Sequence, residues 1–153
     1  MGKSSFTSTR ARIKLRRILT EVDAGIRPAM QDSVNKLQKE IMQNVPVNTG
    51  NLKSLITSHV AKNGLRGEVG LRGKKAREKG FYARFIEYGT KGHKVDASKK
   101  VLSSGSNTFG TSANIPAQPA RPFLQPAWDN EKHGIIARIN KVIEGSIKKA
   151  QSL

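Results

Sequence analysis

Between residues 10 and 45, apolar side chains recur at steps of three and four: Leu15, Leu19, Val22, Ile26, Met30, Val34, Leu37, Ile41 and Val45. That spacing places them on one stripe of a helix, and the stripe needs something to cover it. Gly25 and Pro28 interrupt the pattern. Proline lacks the N–H of a helical hydrogen bond and crowds the preceding turn, so a kink or two successive helices, split near 24–27, is expected. The better-defined half is 28–44, where Pro28 suits a first turn. A second stripe starts at Pro122, with Leu124, Trp128, Ile135, Ile139 and Val142, widened by Ile136, Ile143 and Ile147. It predicts a helix from 123 to about 150, weakest at His133-Gly134.

The intervening chain changes period. Pro46 ends the first helix, and Asn48 or Thr49 can cap a short turn beginning at Gly50. In LKSLITSHVAKNGLRGEVGLRG, Ile56, Ser58 and Val60 alternate with Leu55, Thr57 and His59, and Glu68 to Leu71 return after Asn63-Gly64. This is a β-hairpin pattern. FYARFIEYGT reads as a short helix over 81–88 closed by Gly89, with a strand as the alternative. Its aromatics, Phe81, Tyr82, Phe85 and Tyr88, form one apolar group of core character. Residues 90–115 are rich in Gly, Ser, Lys and Asn, and an irregular stretch of that length is either disordered or a functional loop. The fold class is α+β: two long helices packed on a small antiparallel sheet, with a short helix and a long flexible loop. One domain over 1–153 is expected, with a basic N-terminal arm at 1–12 and the long loop at 90–115.

Charge restricts the partners. Lys and Arg number 28 against 11 Asp and Glu, a net charge of +17. The first acid is Glu21, so Lys3, Arg10, Arg12, Lys14, Arg16 and Arg17 stand unopposed. RGKKAREK sets Arg72, Lys74, Lys75, Arg77 and Lys79 against Glu78 alone. Such clusters favour polyanions through counterion release, so these residues are DNA-facing candidates, with a solvated, solubilising surface as the bland alternative. Cysteine is absent, which excludes disulfides and thiolate metal sites. No apolar run reaches the ~18 residues of a membrane span, and MGKSSFTSTRARIKLRRI lacks the apolar stretch of a signal peptide.

Catalytic patterns are missing. His59, His93 and His133 are dispersed, and the carboxylates show no spacing suited to a nuclease metal site. GLRGEVGLRGKK lacks the Gly-Lys-Ser or Gly-Lys-Thr ending of a phosphate-binding loop. Two charged residues have apolar neighbours: Glu87 in FIEYG and Arg121 in PARPF. They either face solvent or meet as a partly buried ion pair.

IPAQPARPFLQPAW holds Pro116, Pro119, Pro122 and Pro126, four of the six prolines. A PxxP ligand, a rigid linker and a structural clamp all suit that composition. The clamp is favoured because Phe123, Leu124 and Trp128 tie the segment to an apolar stripe, with Pro122 presetting the first helical turn.

The order P-V-N-T-G-N-L, F-I-E-Y-G-T, P-A-R-P-F-L resembles a family of tailed-bacteriophage neck and tail-completion proteins that includes minor tail protein Z-like members. The positions carrying it are Pro46, Thr49, Gly50 and Leu52; Tyr82, Glu87, Gly89 and Thr90; and Pro119, Arg121, Pro122 and Phe123. The resemblance implies a structural virion protein of the head–tail junction, without enzyme activity or cofactor. It implies a ring, hexameric in expectation, that contacts head connector proteins and tail terminator or tail-tube proteins. The basic charge adds an expected transient, non-specific contact with phage DNA, and no membrane contact is expected. The implied location is the virion neck at the top of the tail, after assembly in the host cytoplasm. A tail terminator and a sequence-independent nucleic-acid-binding protein are the alternatives. Aromatics interleaved with bases would favour the latter.

Overall fold

A computed structural model describes residues 4–47, 50–96, 103–104, 106–108 and 110–151. Helix α1 (Ser4–Asn44) is followed by α2 (Asn51–Leu55), β1 (Ile56–Val60), β2 (Gly67–Leu71), α3 (Lys74–Lys79) and α4 (Ala83–Tyr88). Strands β3 (His93–Asp96), β4 (Ser103–Ser104), β5 (Asn107–Thr108) and β6 (Ser112–Ile115) precede the closing helix α5 (Leu124–Gln151). The fold is α+β as expected. Lys3, Asn48 and Thr49, named above, lie outside the described residues.

The expected split of the first helix does not occur, because α1 runs unbroken through Gly25 and Pro28. A proline inside a helix costs about 3 kcal/mol, and packing on both sides offsets it. Ile26 and Val34 are both buried. Gly25 serves helix contact: a Cβ there would come within 2.7 Å of Val142 Cγ1 on α5. The segment read as an arm from 1–12 is itself helical from Ser4 onward.

Helices α1 and α5 lie antiparallel, as a series of polar ties shows. Asn130 Nδ2 donates to Glu40 Oε1 (3.0 Å), and Lys149 Nζ donates to Glu21 Oε2 (2.8 Å). Midway, buried Ser33 donates to the Ala29 carbonyl (2.7 Å) and accepts from Arg138 Nε (3.0 Å), while Arg138 Nη2 donates to Glu131 Oε2 (2.9 Å). The polar groups brought inside are thus bonded.

The hairpin forms in the expected register region, Ile56 opposite Leu71 and Val60 opposite Gly67, with Ile56 and Val60 inward on α1. Its turn spans 61–66; Asn63 Oδ1 accepts from the Leu65 N–H (3.1 Å) and Gly64 has φ 72°. Gln38 Nε2 donates to the Ile56 carbonyl (3.0 Å), locking sheet to helix. The stretch 90–115, read as irregular, instead closes at its base as an antiparallel ribbon of β3 with β6, with β4 and β5 paired farther out. Its few apolar residues hid this, because the pairing is made by backbone groups and leaves no period in the side chains.

The main core gathers at the C-terminal end of α1. Ile41, Val45, Leu52, Ile56, Ala83, Phe123 and Ala127 are buried together, with Leu37, Met42, Val69, Leu71, Tyr82 and Ile86 packed on them. Phe123 and Ala127, rather than Leu124 and Trp128, anchor the proline-rich segment; Trp128 is 48 % exposed. Burying Phe123 alone contributes about 2–3 kcal/mol.

Candidate assembly surface

Glu87 joins two distant stretches. The carboxylate is buried and lies at the start of α5, where Oε2 accepts from the N–H groups of Phe123 (2.8 Å) and Leu124 (3.0 Å), and Oε1 from that of Gln125 (3.0 Å). A helix start leaves four N–H groups without helical partners. Glu87 takes three, and the fourth position is Pro126, which has none. A negative charge there also meets the positive end of the helix dipole.

The ion pair expected between Glu87 and Arg121 is therefore absent. Arg121 is exposed, and it is the Arg121 backbone N–H that donates, to the Ile86 carbonyl (2.8 Å). The physical reason is that one carboxylate aimed at a helix N-terminus satisfies three buried donors, whereas the guanidinium keeps its hydration at the surface. Thr90 and Gln118 exchange backbone bonds of 2.9 and 3.0 Å beside this joint. Gly89 (φ 71°) sits so close that a Cβ would lie 2.6 Å from the Gln118 carbonyl oxygen. Only glycine fits both the left-handed backbone and the approach. Pro122 precedes α5 and Pro126 lies in its first turn, so the first-turn role belongs to Pro126. The proline segment acts as a clamp, fastened to the end of α4.

Pro46, Gly50, Leu52, Tyr82, Glu87, Gly89, Thr90, Pro119, Arg121, Pro122 and Phe123 thus come from three segments to one end of the molecule. Leu52 and Phe123 are core, Tyr82 is half-buried and Gly50 (φ 76°) precedes α2. Pro46, Phe85, Ile86, Gln118, Pro119 and Arg121 line an open cleft of about 360 Å³.

The aromatics beside this cleft depart from the core reading. Phe81, Phe85 and Tyr88 are 68 %, 48 % and 75 % exposed, and only Tyr82 turns inward. Phe81 meets Phe85 edge to face at 6.4 Å between ring centres. Phe81 precedes α4, and Phe85 and Tyr88 lie one turn apart on it; the sequence period does not say whether such a group meets core or solvent. Sequence reasoning missed the exposure for that reason. Val47, 67 % exposed, adds to the apolar surface at this end.

The two basic clusters are not brought together. Arg10, Arg12, Lys14, Arg16 and Arg17 lie on α1, N-terminal to the tie between Glu21 and Lys149 of α5. The chain of Arg72, Lys74, Lys75, Arg77 and Lys79 follows β2, whose Leu71 packs on the core at the other end of α1. Glu68 faces Arg66 and accepts from Arg72 Nε (3.1 Å); the hydrogen bond from Arg72, then the charge of Arg66, holds its carboxyl below the usual glutamate range. Arg12, Ile13, Leu15, Arg16 and Leu19 border a shallow groove of about 560 Å³ on α1, with Ile13, Leu15 and Leu19 over half exposed. Among the described residues no group of three His, Asp or Glu is placed to hold a metal ion. No helix among them is long and apolar enough to cross a membrane.

A protein-family model described as "Bacteriophage HK97-gp10, putative tail-component" matches residues 12–89, from the groove-bearing part of α1 through the hairpin to the Gly89 contact. No curated protein and no solved structure matches the chain significantly. With half of its length matched, the chain belongs to the HK97-gp10-like family of bacteriophage tail components.

Proposed function

We infer that this chain is a structural virion protein of the head–tail junction, acting as a ring that completes the tail and joins it to the head connector. The observation that carries the reading is family membership together with two uncovered apolar surfaces, one at each end of α1. A soluble monomer seldom leaves large side chains such as Phe81, Phe85 and Tyr88 exposed side by side without a partner surface. The proposed partners are further copies of the chain, hexameric in expectation, with connector proteins on one side and tail-tube or terminator proteins on the other. The chain would assemble in the host cytoplasm and reside in the neck. No catalytic role is assigned.

DNA contact is proposed as weak and sequence-independent, through bases at both ends of α1. A second reading, direct nucleic-acid binding, gains from the exposed aromatics Phe81, Phe85 and Tyr88 standing close in sequence to Lys79 and Arg84, since nucleobases stack on such rings.

Deleting the gene and imaging the lysate tests the main reading. Filled heads and tails of normal length that fail to join are expected. Overlong tails would assign the chain to tail termination, and joined, infectious particles would exclude both.

A further inference from the structure

We propose that copies of this chain join head to tail, the N-terminal projection of α1 in one copy lying across the Phe81–Phe85–Tyr88 face and its cleft in the next. The inference rests on the ring reading and names the surfaces that build the ring. Among the described residues, the polar tie from α5 nearest the start of α1 is Lys149 to Glu21, and Ser4–Thr20 lie N-terminal to it. At 1.5 Å per residue this projection is about 25 Å long.

Arg12, Leu15, Arg16 and Leu19 are spaced i, i+3, i+4 and i+7, one face of the projection, and all four are exposed. That face alternates aliphatic groups with guanidinium groups. Phe81, Phe85 and Tyr88 form the other surface, exposed aromatics at i, i+4 and i+7. Leucine side chains fit against the rings and into the cleft between Pro46 and Pro119, and arginine is the cation that aromatic faces accept best. The two surfaces are complementary to each other and dissimilar to themselves.

Their placement sets the mode of association. Leu19 and Pro46 lie at opposite ends of α1, so one copy cannot satisfy both surfaces internally. A contact between two different surfaces is heterologous, and it builds a ring where the rotation between copies closes. Electrostatics oppose it in isolation. Each copy carries +17, and many of its carboxylates already serve its own bases: Asp32 with Lys36, Glu68 with Arg66 and Arg72, Asp129 with Lys132, Glu131 with Arg138. Association therefore strengthens as salt or a polyanion screens the charge.

The native chain has no cysteine, so paired substitutions report the contact cleanly. Leu15→Cys and Phe85→Cys variants, each shown to be folded by circular dichroism, are oxidised separately and mixed, in high salt. A product of twice the monomer mass is expected only in the mixture, and a ladder from a chain carrying both substitutions. The pair Leu19→Cys with Tyr88→Cys covers a register one turn away. Self-linking of the Leu15→Cys variant alone would mean a symmetric pairing and overturn the proposal. So would absence of cross-links from both pairs, while the gene-deletion phenotype would still stand or fall on its own. Protection of the Phe85→Cys variant from a thiol reagent by an oligo(dT) strand, but not by the cysteine-free chain, would give the surface to nucleic acid instead.

Discussion

Glu87 is the residue whose role differs most between sequence and structure. Its place in an apolar run marks it as unusual, and the partner that its composition points to is Arg121. The actual partners are three backbone N–H groups, which have no sequence signature of their own. Glu87→Ala should cost about 3 kcal/mol, since it leaves buried donors unpaired, and Arg121→Ala should change stability by less than about 0.5 kcal/mol, as exposed positions do. Urea unfolding of the two variants compares them directly; equal losses would restore the ion pair. Gly89→Ala should cost about 2 kcal/mol or more, from the left-handed backbone and the 2.6 Å approach. Glu68 supplies a pH test. Its folded carboxyl titrates below the ordinary range, chiefly through Arg72. The stabilisation is complete above that range and is lost as pH falls through the lowered value. A Glu68→Gln variant should lack this loss, so the gap between the two unfolding midpoints should narrow on acidification.

At the scale of elements, the periodic segments were legible. Both long helices and the hairpin appear where steps of three and four, or of two, placed them, because an apolar stripe keeps the period of the element that carries it, whatever covers it. Two breaks in that legibility have physical causes. Gly25 and Pro28 read as helix breakers, yet α5 packs so closely over Gly25 that the site is a contact. The ribbon of β3 and β6 is held by backbone bonds, and its polar side chains show no stripe. Core and interface were also indistinguishable: the aromatic face of α4 and the stripe of α1 have the same period as buried ones. The helix pair offers its own test. Arg138 on α5, only 22 % exposed, donates to Ser33 on α1 and is steadied by Glu131 of its own helix, so Arg138→Ala should cost about 1–3 kcal/mol by thermal or urea unfolding. A neutral result would mean that apolar packing alone holds the helices together.

For the whole molecule, uneven charge and two uncovered ends matter more than any single pocket. A protomer with +17 and apolar surfaces at both ends of a 41-residue helix is poorly suited to remaining alone. Its contact with duplex DNA should be sequence-independent and salt-sensitive. For about four phosphates neutralised, affinity should fall about 10²-fold between 50 and 200 mM salt. Fluorescence anisotropy on two unrelated duplexes measures both properties, and a flat salt response would remove DNA from the account. The head–tail role itself is tested most directly by an electron-microscopy reconstruction of the virion neck in which the chain is traced. The account predicts a closed ring between connector and tail tube, with α1 of each copy reaching the aromatic face of the next. Absence of the chain from the neck, or its location elsewhere in the particle, would contradict it.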